Sequence, residues 1–452
     1  MRKSARSLSL DMSRGNPLRI MLTFSLPMIL SNLFQQLYNI FDTLIVSRAL
    51  GQDALAAVGS AGTVTFVYTS AATGLALGAS VVIAQLFGAR ELRRVKTCAS
   101  TMGIFDALVG LLFLLVGLIL ARPILNLIRT PAGILDVSCT YLQIYSVGCV
   151  SLFLYNALSA VYMALGNSKT PLYFLILSSL LNIGLDLLFV LVFRWGVPGA
   201  AWATTISQTV SALLALWDLR RKLALLETDG PAKRFDKREL GTMLKFALPA
   251  TVQQSVVSLG NVVVQSAINS FGEAVIAGCT TASKVFAFVT TIPGNFGNAV
   301  SNFTGQNIGA KKPDRIAKGL IAALIASGAI CLVMTVVLQL WGEGVISLFA
   351  KAGDPREAID VGVAYISTVS WFFLVFAVMM CTKNVLKGAG DMLWFILATM
   401  LDLVVRIVTS LFLAPVYGAH LIWWSIPIGW CVGMVVALAR YFQGGWRKKG
   451  VL

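Results

Sequence analysis

One histidine, His420, and a charged fraction of 12% are what this 452-residue chain has least of. A single imidazole excludes a histidine proton relay and leaves no His-based metal site or Ser/His catalytic pair. The seven cysteines (Cys98, Cys139, Cys149, Cys279, Cys331, Cys381 and Cys431) are odd in number, scattered, mostly inside apolar runs, and form no CxxC. They predict neither a disulfide framework nor a zinc site. The glycines at 78, 88, 166, 388 and 390 lie in no GxxxxGK[ST] pattern, so no nucleotide loop is indicated and no cofactor is expected. A soluble domain carries roughly 25% charged residues, about twice the share seen here.

What is abundant is apolar: 57% of the residues are hydrophobic, with a mean hydropathy of +0.80. The runs are continuous, as in LLFLLVGLIL at 111–120. Hydrocarbon about 30 Å thick requires about 20 such residues per helix, whereas barrel strands alternate over about ten. The apolar runs predict an all-α membrane protein with twelve spans near 18–44, 54–78, 97–121, 138–163, 171–193 and 198–219, then 241–269, 274–298, 316–341, 360–386, 391–414 and 419–440. The first of these follows a basic tail with no cleavage motif and is expected to remain in place.

The net charge of +16 is a topology signal rather than a nucleic-acid footprint. Of 36 Lys and Arg, 28 fall in the tails and the 79–96, 164–170, 220–245, 305–318 and 383–390 loops. The opposite loops hold six (Arg48, Arg122, Arg129, Arg194, Lys351 and Arg356), and Lys284 and Arg406 fall inside spans. Both termini are therefore expected in the cytoplasm, in a multi-pass cytoplasmic (inner) membrane protein.

The two halves also repeat at an offset of 221 or 222 residues: Leu26-Pro27 as Leu248-Pro249, Asn39 as Asn261, Gly51 as Gly272, Gln85…Gly88-Ala89 as Gln306…Gly309-Ala310, Leu172…Phe174 as Leu393…Phe395, and Gly196 and Trp202 as Gly418 and Trp424. Six spans per repeat is even, which predicts two six-helix bundles related by a pseudo-two-fold axis along the membrane normal, the architecture of alternating-access transporters. The expected domains are a cytoplasmic tail 1–17, an N-lobe 18–219, a cytoplasmic linker 220–240, a C-lobe 241–441 and a C-terminal tail 442–452.

Charge at bilayer depth costs about 3 kcal/mol on insertion scales, so each instance asks for a partner or a task. Tyr38 and Asp42 in span one are four residues apart, as are Asn182 and Asp186 in span five, so each pair shares a helical face. Should these faces meet, two carboxyls share one low-dielectric pocket that takes up a proton or a sodium ion, with Asn156 and Thr204 as further oxygen ligands. No other metal is indicated. Asp42 lies near a span end, where simple hydration is the alternative. Asp106 has no obvious local partner, and a water-facing or helix-bonded position serves it equally well. Asp402 and Arg406 have the spacing of an intrahelical ion pair, for which Lys284 could compete. Pro27 and Pro249 interrupt spans one and seven as hinge candidates, static packing being the alternative.

The segments SLPMILSNLFQQLYNIFDTLIVSRALG, YNALSAVYMALGNSKTPL, LLNIGLDLLFV and WGVPGAAWAT, in this order and spacing, make the chain similar to the multidrug and toxic compound extrusion (MATE) family over 18–441. The resemblance implies an exporter driven by sodium ions or protons, and assigns coupling to Asp42 and Asp186 with Tyr38, Asn156, Asn182 and Thr204 around them. One branch of the family has acidic residues in spans seven and ten; here those spans offer Gln253, Gln254 and Gln265, then Thr368 and Lys383. The expected activity is antiport export of amphipathic, often cationic small molecules by a monomer in the bilayer, with no nucleic-acid partner. The nearest alternative, a lipid-linked saccharide flippase of the same superfamily, calls for several interior arginines. A membrane-embedded enzyme calls for clustered catalytic groups, and a channel for a filter.

Overall fold

The computed structural model describes residues 10–350 and 355–450, and among them every regular element is helical. Lys351 and the tail residues 1–9 and 451–452 lie outside the described residues. The chain runs through α1 (Pro17–Gly88), α2 (Leu92–Leu127), α3 (Ala132–Val147), α4 (Cys149–Ala164), α5 (Lys169–Asp186), α6 (Val197–Ala224), α7 (Lys237–Asn269), α8 (Glu273–Gly309), α9 (Pro313–Phe349), α10 (Arg356–Ser370), α11 (Phe373–Ala389), α12 (Met392–Val408), α13 (Ala414–Tyr417) and α14 (His420–Gln443). A π turn, Leu187–Val192, continues α5, and another, Thr409–Leu413, continues α12.

Each expected span falls in this helical set. Spans one and two form the single element α1, broken at Gly51 (φ 85°, ψ −175°), a conformation open essentially to glycine alone. Spans four and ten are each two helices, bent by 47° between α3 and α4 and by 54° between α10 and α11. Most helices overrun the hydrophobic windows, because hydropathy marks only the hydrocarbon slab while backbone hydrogen bonding continues beyond it. The faces are arranged as lipid demands: Leu108, Leu112, Leu115 and Ile119 line an exposed stripe of α2, while Asp106, Gly110 and Gly117 are buried on the other side.

The sequence repeat is also a repeat of backbone conformation. Gly272 (φ 90°, ψ 170°) matches Gly51, and the positive φ of Arg90 (64°) recurs at Lys311 (56°). Gly196 (φ 65°) recurs at Gly418 (φ 112°), and the π turn after α5 recurs after α12. Paired bends in spans four and ten complete the set.

The chain divides into two compact units. Among the described residues, unit 1 is 10–11 and 30–252, and unit 2 is 12–29, 253–350 and 355–450. This division departs from the expected lobe boundaries, since 12–29 groups with the second half and 241–252 with the first. Local packing explains both. A Cβ at Gly78 would lie 2.1 Å from Ala247 Cα and one at Gly74 2.4 Å from Thr251 Cα, so α1 and the start of α7 meet backbone to backbone. Residues 12–15 are tied to α8 and α9: Met12 N–H donates to Gln306 Oε1 (2.9 Å), and Arg315 and Lys312 donate to the Gly15 and Ser13 carbonyls (2.6 and 3.0 Å). Unit 2 is centred on the fully buried Trp430, with Phe376 4.5 Å and Phe286 5.9 Å away, ring centre to ring centre.

Candidate functional site

Unit 1 encloses a cavity of about 640 Å³ walled by α1, α3, α4, α5 and α6, with Tyr38, Asp42, Asn156, Asn182 and Thr204 in its lining. Five of the six residues proposed for cation coupling thus share one space. The sixth, Asp186, lies behind the wall, fully buried at the last position of α5 where the π turn begins. Its carboxyl meets that of the half-buried Asp42 at hydrogen-bonding range.

Neighbouring groups hold this pair in place. Asn182 is oriented so that its amide nitrogen donates to Asp186 Oδ2 at 2.9 Å and its oxygen accepts the Thr204 N–H at 3.1 Å, the assignment in which each atom meets its complement. The Tyr38 and Thr204 side chains both face the cavity. Asn156 donates one amide N–H to the Leu152 carbonyl at 2.9 Å, and its amide oxygen remains as an acceptor for the cavity. Asp186 Oδ1 is buried with no hydrogen-bond partner among the described residues. A carboxyl oxygen without a donor, facing a second carboxyl, is an arrangement that a positive ion completes.

Sequence reasoning missed part of this wall. Tyr141 and Tyr145 of α3 line the cavity, their rings stacked 6.3 Å apart. Their spacing of four is the same signal that singled out Tyr38 and Asp42.

The second set of proposed residues is not brought together in full. Asp402 and Arg406 form a two-point ion pair at 2.8 and 3.0 Å within unit 2, whereas Lys284 is exposed on α8 and forms no ion pair with Asp402. Asp106 is neither water-facing nor helix-bonded: it is 0% exposed and neither oxygen has a partner among the described residues. Pro27 and Pro249 lie inside α1 and α7, but the non-helical position in α1 is Gly51. Lys383 and Lys387, read from sequence as cytoplasmic loop charges, are helical and buried in α11.

The MatE family model matches residues 27–188 and 249–412, one match in each half. The chain belongs to the MatE family. Among MatE-type relatives, the probable multidrug resistance protein YoeA of Bacillus subtilis is 28% identical over 97% of this chain and 96% of its own. The probable multidrug resistance protein NorM of Thermotoga maritima is 22% identical over 96% and 94%. An outward-facing multidrug resistance MATE transporter superposes with a TM-score of 0.88 at 23% identity, covering 97% of this chain and 99% of that one. This MatE protein is therefore a multi-pass transporter with the twelve-helix, two-lobe fold, and not an enzyme.

Proposed function

We propose that the protein exports amphipathic small molecules by antiport, coupled to a cation taken up at Asp42 and Asp186. The observation that carries this reading is the meeting of those two carboxyls beside the cavity of unit 1. Two ionised carboxylates repel strongly at such range, and a bound cation removes the repulsion. A single proton shared between the two carboxyls removes this repulsion without any further oxygen ligand, and the coupling ion proposed is therefore a proton. Entry is through half-buried Asp42, with Asp186 as the inner partner. Uptake changes what Asn182 and Thr204 can bond, and through α5 and α6 the shape of the cavity. By linkage, cargo weakens cation binding as much as the cation weakens cargo binding. The protein acts as a single chain in the cytoplasmic membrane. The names of the relatives, multidrug resistance proteins, support drug-like small molecules as the cargo.

The test uses proteoliposomes with separately imposed pH and sodium gradients. Efflux driven by the pH gradient alone, and lost in Asp42→Asn and Asp186→Asn while cargo binding persists, is the expected result. Undiminished driven efflux in Asp42→Asn would sink the proposal. Efflux driven by sodium alone would replace the proton with sodium at the same residues.

A further inference from the structure

Among the described residues unit 2 buries two lysines, Lys383 and Lys387, and two carboxylates, Asp402 and Asp391. Each carboxylate is already paired with a half-buried arginine, Asp402 with Arg406 through both oxygens and Asp391 with Arg440 at 2.7 Å. The lysines stand one turn apart on one face of α11 at 6% and 4% exposure, and neither is in an ion pair among the described residues. Lys387 Nζ donates to Asn298 Oδ1 on α8 at 3.0 Å and lies 5.6 Å from the ring centre of Phe395. Lys383 makes no hydrogen bond among the described residues, and the charges acting on it are those of Asp402 and Arg406. Between the two lysines, Asn384 turns its amide nitrogen back to the Met380 carbonyl at 2.8 Å, leaving Oδ1 buried with no partner.

The seam between α8 and α11 is rigid. A Cβ at Gly297 would come 2.6 Å from Asn384 Nδ2, and one at Gly388 2.2 Å from the Ser301 carbonyl oxygen. These side chains therefore have little room to move away from each other or toward water. An ammonium without a counter-charge is costly to bury, and two on one helical face also repel. Lys387 sits in the last turn of α11, where the helix dipole favours a cation, but Lys383 lies a turn earlier and gains little from it. One kind of ligand removes all of these costs together. It brings negative charge to the two ammoniums.

We infer that the Lys383–Lys387 face of α11 in unit 2 is an anion subsite, in which the two lysines hold an oxyanion (carboxylate, sulfonate or phosphate) carried by the cargo. This rests on the export reading for what the anion belongs to. It adds to that reading a cargo class opposite in charge to the cation bound in unit 1.

The test compares three probes on one ring system: naphthalene-2-sulfonate, its neutral sulfonamide, and a naphthyl trimethylammonium. Binding to the full chain in lipid nanodiscs is followed by calorimetry. The wild type is expected to bind the sulfonate about tenfold or more tightly over the sulfonamide, the factor of a single charge-assisted hydrogen bond. Lys383→Gln/Lys387→Gln should abolish that preference and Lys383→Arg/Lys387→Arg retain it. Should the double Gln variant fail to fold, Lys383→Gln alone is expected to reduce the preference. A wild type that does not separate sulfonate from sulfonamide, that prefers the ammonium, or whose preference survives both Gln variants overturns the subsite. No gradient is imposed, so sulfonate preference without any driven efflux would uphold the subsite and defeat the export reading.

Discussion

Asp106 marks the difference between a buried acid with a task and one without. Asp42 and Asp186 face each other, with Asn182 bonded to Asp186 and in turn to Thr204, whereas Asp106 is sealed against α4 with both oxygens unpartnered among the described residues. An unsatisfied buried polar group costs about 1–3 kcal/mol. Asp106→Leu, of similar volume, is therefore expected to raise the thermal unfolding midpoint in detergent and leave driven efflux intact; loss of efflux in a stable variant would bring Asp106 into the mechanism. The contrast also shows what sequence could tell. A polar residue four positions from an acid placed Tyr38, Asp42, Asn182 and Asp186, because that spacing is local and survives any packing. Lys383 and Lys387 were unreadable for the opposite reason. Near a run of glycines they look like loop charges, and only the close approach of α8 through Gly297 and Gly388 puts them inside.

Among elements, the informative positions are breaks rather than helices. Twelve apolar windows announced the helices, but no apolar pattern announces a bend between α3 and α4 or a π turn after Asp186. Such turns are common at functional sites. Here the turn begins at the inner carboxyl of the pair, so that the register of Asp186 against Asp42 depends on it. Gly51 was readable as one member of a repeated glycine pair, though its conformation was not. A Cβ there would meet nothing within 4 Å, so its backbone angles alone require glycine. Gly51→Ala is expected to cost about 1–3 kcal/mol, read as a lowered unfolding midpoint, and Gly272→Ala should do the same. Gly59→Ala is the control: it lies within α1 with equal space around its Cβ and no special φ, and should show no loss. If all three variants behave alike, the argument from backbone angles fails.

For the molecule as a whole, duplication and charge carry different information. The repeat fixes the order of breaks in both halves, down to positive φ values at Arg90 and Lys311, while the buried charges do not repeat. Among the described residues unit 1 buries Asp106, Asp186 and Glu239, with Asp42 half-buried beside Asp186, and unit 2 buries Asp391 and Asp402 together with the two lysines, Lys383 and Lys387. A duplicated scaffold keeps its backbone because hydrogen bonding in lipid leaves few alternatives, but it is free to bury lysines in one copy and not in the other. Surface charge answers a separate question. Even without the buried Lys383 and Lys387, basic residues crowd the tails and alternate loops, and this imbalance predicts cytoplasmic termini. A fluorescent protein fused after Leu452 should therefore mature and fluoresce, and an alkaline phosphatase fused there should be inactive. A phosphatase inserted after Thr130, in the turn between α2 and α3 on the opposite side, should be active. A dark, phosphatase-positive C-terminus would invert the topology, and with it the side from which Asp42 receives its ion.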